Sequence, residues 1–167
     1  MAKAVKEVRG LVIPLQGIRL VLPDSVILQI LSSSDIVSLE GAPSWLLGNV
    51  TWQKRVIPVM SFEVASNHQY HQMYQPRIMV LKSVNNIDKM PFYAITLAGI
   101  PHPARLNEEN IAVMENAVST TPAILSEVLV EGEPTVIPNV DALEEMLISQ
   151  YGVFAQELEE EEETVPA

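Results

Sequence analysis

Along the first 139 residues the apolar positions come in short, β-branched runs of about four to nine residues, separated by turn-forming residues. That pattern predicts strands, not long helices. Glu7 to Leu15 is the first run, Gln16-Gly17 breaks it, and Ile18 to Leu22 follows, so the two predict a hairpin. Val26 to Leu31 is the next strand, ended by the polar cluster at 32–35, and Ile36 to Leu39 is a further short one. Ser44-Trp45-Leu46-Leu47, led by Pro43, predicts one helical turn that Gly48 closes. Asn49 to Trp52 and Val56 to Phe62 then flank a turn at Gln53-Lys54-Arg55. Pro58 lacks an amide, which places it at an edge or a bulge.

The polar stretch Ser66 to Gln75 reads as an exposed loop. Arg77 to Val84 and Pro91 to Leu97 predict a third strand pair. Ala123 to Val130 and Thr135 to Asn139 predict the last, while the Pro- and Asn-rich stretch between them gives no clear element. Only after Asn139 does the period change. Asp141 with Glu144 three residues later forms a capping-box pattern, Leu143, Leu147 and Ile148 share a stripe, and Gly152 suits a helix stop. The result is an all-β domain over residues 1–155 with one C-terminal helix.

Composition narrows the chemistry. The chain has 167 residues, 48% hydrophobic and 19% charged, enough for one domain with a substantial core. Its net charge is −11, which argues against a phosphate-neutralising groove and so against nucleic acid as a partner. Glu157 and Glu159 to Glu163 carry six of those charges, so residues 156–167 read as an acidic, disordered, solvated tail. No window reaches the roughly 18 apolar residues of a membrane helix, and Pro14 and Arg19 interrupt any leader-like run, so no membrane insertion is expected and the chain reads as cytoplasmic.

Candidate catalytic sites are weak. There is no Cys, no nucleophile elbow, and no glycine-rich phosphate loop, which leaves no catalytic constellation and no cofactor site. Ser32 to Ser34 beside Asp35 is turn chemistry, and the Glu108-Glu109 and Glu144-Glu145 pairs read as solvated polar faces. His68, His71 and His102 can be drawn as a three-imidazole site. A His-x-x-His in a polar loop, however, lacks the rigid support a metal needs, so no metal is expected. Tyr70 and Tyr74 in the same loop are possible contact residues.

The most specific stretch is Ala42 to Glu63, APSWLLGNVTWQKRVIPVMSFE. It resembles the signature of the CheW-like domain, the chemotaxis coupling-protein family, with Pro43, Trp45, Gly48, Trp52 and Pro58 in register and without a gap. Outside residues 42–63 the likeness is one of pattern and order and extends over nearly the whole chain. Gln53-Lys54 stands where the family has Arg-Gly, Ser61 where it has Asp, and Leu97-Ala98-Gly99 lacks an acidic residue often found there. These departures look like those of accessory members similar to PilI and ChpC of pilus-based twitching chemosensory systems.

The resemblance implies two SH3-like five-stranded β-barrel subdomains with the helix alongside. It also implies a non-enzymatic adaptor that joins the cytoplasmic tip of a methyl-accepting chemoreceptor to the regulatory domain of a CheA-like histidine kinase. The expected partner-binding residues are Trp45, Val50, Trp52, Gln53, Lys54 and Arg55. Trp is a frequent interface anchor but equally a core residue, and Lys54 and Arg55 put positive charge at a hairpin tip. Two alternatives stay open: a β-barrel that binds a small molecule, and an adaptor that contacts the kinase alone.

Overall fold

In a computed structural model the chain is described over residues 7–32, 35–109, 111–113 and 121–151. The expected tail and the Gly152 helix stop lie outside the described residues. Among the described residues eleven strands form two sheets. The first has six strands: β1 (Val8–Pro14), β2 (Arg19–Pro23), β8 (His102–Leu106), β9 (Ile111–Val113), β10 (Ile124–Val130) and β11 (Glu133–Pro138), in the order β8-β1-β2-β11-β10-β9. The second has five: β3 (Ile27–Leu31), β4 (Leu46–Trp52), β5 (Arg55–Met60), β6 (Arg77–Lys82) and β7 (Phe92–Leu97), in the order β3-β6-β7-β5-β4. Both chain ends therefore build one sheet, and the contiguous segment between them builds the other. This is the expected all-β fold of two β subdomains, completed by a helix at 140–151.

The runs look continuously apolar because most of these strands are buried on both faces. On β6, Ile78 and Val80 point into the interior of the second subdomain, while Met79 and Leu81 point into the core shared by the two sheets. On β1 and β2, Val12 and Val21 fill the first subdomain, and Ile13, Leu20 and Leu22 face the shared core. The two-residue strand period thus sorts adjacent aliphatics into different cores. The shared core is the largest of the three, and Leu143, Leu147 and Tyr151 of the helix close it.

Several local expectations change. Ser44-Trp45 is only a turn, closed by a 3.0 Å bond from the Leu46 amide to the Pro43 carbonyl, and β4 has begun by Leu46. Gly48 therefore sits inside a strand, at a bulge and at φ +148°, and a Cβ there would lie 2.0 Å from the Val37 carbonyl oxygen. The close pass of the chain at Val37, which bridges to Asn49, is what requires glycine. That single bridge is all that forms of the strand expected at Ile36 to Leu39. Pro58 is not on an edge, since β5 lies between β4 and β7. It falls just before Val59 and Met60, the two residues that pair with β7, where a missing amide does least harm. β5 stops at Met60, because Ser61 caps a short helix, α1 (Phe62–Ala65), accepting a bond from the Val64 amide. Ser61 and the family's Asp are interchangeable caps of this kind.

The helix at 140–151, α2, starts two residues earlier than the capping-box reading requires. Asn139 is its cap, with Oδ1 accepting from the Ala142 amide at 3.2 Å. Asp141 and Glu144 bond instead to the loop after β6: Asp141 Oδ1 accepts from Asn85 Nδ2, and Glu144 Oε1 accepts from the amides of Val84, Asn85 and Asn86 at 3.1–3.2 Å. Glu144 is fully buried, not solvated, while Glu145 remains exposed. Three consecutive amides around one carboxylate oxygen form an anion nest that fixes the helix to the second subdomain.

Candidate functional site: the β4–β5 hairpin and the adjoining cleft

Strands β4 and β5 pair antiparallel from Leu46 opposite Met60 to Trp52 opposite Arg55. That register leaves Gln53 and Lys54 alone as the turn, with φ of 47° and 63°. A two-residue loop with both central residues at positive φ matches the right-handed twist of its strands. Neither residue is glycine or asparagine, so the turn holds two side chains in a conformation that disfavours them. Arg55, expected in the turn, is the first residue of β5.

The six expected partner-binding residues fall into three groups. Val50 and Trp52 are buried, at 6% and 8% exposure, and pack with Ile57, Val59, Ile78, Val80 and Ala94 inside the second subdomain. Trp45 is half-buried against the shared core. Gln53, Lys54 and Arg55 are exposed. The hairpin therefore has an apolar root and a polar, basic tip.

Phe92 connects root to tip. Its ring meets Trp52 edge-on, with centroids 5.2 Å apart and an interplanar angle of 66°. The Arg55 guanidinium carbon stands 5.2 Å above the same ring. With Phe92 half-buried and Arg55 exposed, such a contact contributes about 0.5–1 kcal/mol, enough to bias where Arg55 points while leaving its donors free. The sequence reading missed Phe92, because nothing local to it signals a contact with a strand more than thirty residues earlier.

Beside Arg55 a cleft of about 370 Å³ opens between the start of β5, the loop before β7 and the end of α2. Ile57, Met90, Phe92, Leu147, Ile148 and Tyr151 supply apolar walls, and among the described lining residues the charged ones are Arg55 and Lys89. A second, larger cleft of about 790 Å³ runs between residues 35–47 and 70–76 and includes Tyr70 and Tyr74. Tyr74 is 91% exposed, whereas burial holds the Tyr70 hydroxyl above its usual range. The loop between α1 and β6 is exposed as expected but tied down: Gln16 Nε2 donates to the His71 carbonyl at 2.9 Å, and the His71 amide donates back to Gln16 Oε1 at 2.7 Å.

The three histidines have other places. His68 Nδ1 lies 2.9 Å from the Ser66 hydroxyl, and His102 opens β8 opposite Val12 in the other sheet. No group of three or more His, Cys, Asp or Glu that could hold a metal occurs among the described residues. Glu63 beneath the loop is buried, which raises its pKa despite bonds to its own amide, the Gln16 amide and the Ser61 hydroxyl. No helix among the described residues is long and apolar enough to cross a membrane.

Residues 9–146 match the family described as the CheW-like domain. The fold is similar to that of the scaffolding protein TtCheW from Thermoanaerobacter tengcongensis, with a TM-score of 0.65 and 12% identity over 80% of this chain and 90% of that one. No curated protein matches the chain in sequence.

Proposed function

The chain belongs to the CheW-like domain family of non-enzymatic scaffolds, and on that premise we propose that it couples a chemoreceptor to a CheA-like histidine kinase. The kinase's regulatory domain and the receptor's cytoplasmic tip are its two partners, and it acts in the cytoplasm without catalysing a reaction. Within the family we assign it to the accessory type that serves pilus-based twitching systems, on the strength of Gln53-Lys54 in place of Arg-Gly.

The observation that carries the partner assignment is the division of the β4–β5 hairpin. Val50 and Trp52 are committed to the interior, so the recognition residues are Gln53, Lys54 and Arg55, presented at the tip by a rigid two-residue turn. Rigid presentation lowers the ordering cost of binding. A ligand-binding barrel fits less well, because aliphatic side chains fill the interiors of both subdomains. Affinity for a receptor-tip peptide, measured for the natural chain and for the double variant Gln53→Arg, Lys54→Gly, tests the assignment. Tighter binding by the variant supports it, and equal or weaker binding shows that this hairpin is not the receptor surface.

A further inference from the structure

Glu63 has no exposed surface, and its bonds to neighbouring residues are long: Oε2 accepts from the Gln16 amide at 3.2 Å and Oε1 from the Ser61 hydroxyl at 3.3 Å. Contacts of that length replace little of the water a carboxylate loses, so burial favours the neutral acid. Gln16 ties this carboxyl to the loop at 66–76. Its backbone amide donates to Glu63, while its side chain holds His71 at both backbone groups, at 2.9 and 2.7 Å. A change at the carboxyl therefore reaches the loop through a single residue.

The loop is built to swing. Asn67 and Gln75, at its two ends, have φ of 65° and 44°, and neither is glycine. Strained positions at the ends of a segment are where a small energy difference moves the backbone. Tyr70, Met73 and Tyr74 of the loop line the second cleft, and Gln75 Nε2 reaches the opposite wall at Asp35 Oδ1, 2.9 Å away. Among the described residues the titratable groups that act on Glu63 are His68 and Tyr70, both on the loop, and a charged His68 favours the ionised carboxylate. The β1–β2 turn and the rest of α1 carry no charge.

We propose that residues 66–76 are a lid gated by a proton on Glu63: clamped through Gln16 while the carboxyl is neutral, and lifted to let water reach it once it ionises. A neutral carboxyl keeps an acceptor oxygen for the Gln16 amide, so the clamp is complete in that form. An ionised one is relieved by solvation, which the closed lid denies it. Acid thus closes the lid and rising pH opens it. Because the lid is one wall of the second cleft, its position sets the shape of that cleft. The device belongs to the chain alone and stands or falls separately from the adaptor reading.

The test is a pH titration of the full-length chain followed by amide and carboxyl NMR. The Glu63 carboxyl, the His71 amide and the Gln16 side-chain amide should share one midpoint above 4.5. Hydrogen exchange at His71, corrected for its intrinsic rise with pH, should accelerate through that midpoint, in total by about tenfold for each pH unit separating it from 4.5. Glu63→Gln, which cannot ionise, should keep His71 protected at every pH. Gln16→Ala should free the loop at every pH and bring the Glu63 midpoint down toward 4.5. The proposal is overturned if Glu63 titrates with no response at His71 and Gln16, or if the loop responds equally in Glu63→Gln. A Glu63 midpoint that Gln16→Ala leaves unchanged overturns it as well.

Discussion

The indole N–H of Trp52 donates to Gln29 Oε1 across 2.9 Å, joining β4 to β3, the two edge strands of the five-stranded sheet. Two edges can touch only if the sheet curls round on itself, so this bond marks the closure of the second subdomain into a barrel. It also explains why Trp52 is unavailable to a partner: its ring packs on Phe92 and its one donor is used.

Trp52→Ala should therefore destabilise the monomer by about 3–5 kcal/mol, the range for a large aromatic removed from a core. Urea unfolding measures it. An unchanged midpoint together with lost partner binding would show the indole to be an interface anchor after all.

The turn offers the opposite sign. Lys54 at φ 63° is in the left-handed region, where a Cβ is unfavourable and glycine is not. Lys54→Gly should stabilise the chain by about 1 kcal/mol, raising the melting temperature by roughly 2–4 °C. No increase would mean that the lysine side chain makes a compensating contact.

Glu63 predicts a pH dependence. Burial raises its pKa in the folded chain above the unfolded value of 4.5, so folding favours the protonated form. Its contribution to stability is fully present below pH 4.5 and is lost as pH rises through the raised folded value. Glu63→Gln should accordingly gain stability relative to the natural chain as pH rises through that window, read from urea midpoints at a series of pH values. A difference that does not vary with pH would contradict this.

Glu144→Ala should strip the amides of Val84, Asn85 and Asn86 of their shared acceptor. The loss is about 2 kcal/mol or more, since amides left without a partner at a partly buried site are costly. Hydrogen exchange at those three amides should accelerate along with it. Faster exchange without any loss of stability would reduce the nest to a local clasp.

The sequence was informative where one strand reports on itself. RIMVLK and the two segments around Gln16-Gly17 read as strands because burial on both faces makes them aliphatic throughout. It misled where a polar residue has two possible partners. Asp141 and Glu144 have capping-box spacing, yet Asn139 takes the cap and both acids bond to a loop some sixty residues earlier. His102 to Leu106 and Ile111 to Val113 were illegible because Pro103 and the short β9 carry almost no strand period. At the candidate site, the hairpin and its exposed tip were legible. The partition of Val50 and Trp52 to the interior depended on Gln29 and Phe92, residues that only the closed barrel brings to them.

The central claim, an adaptor that holds a CheA-like kinase, is tested most directly by sedimentation of the purified chain with the regulatory domain of such a kinase from its own genome. The expected result at low salt is a complex of the two proteins that sediments faster than either one alone. Independent sedimentation of the two proteins, for every such domain that genome encodes, would contradict it.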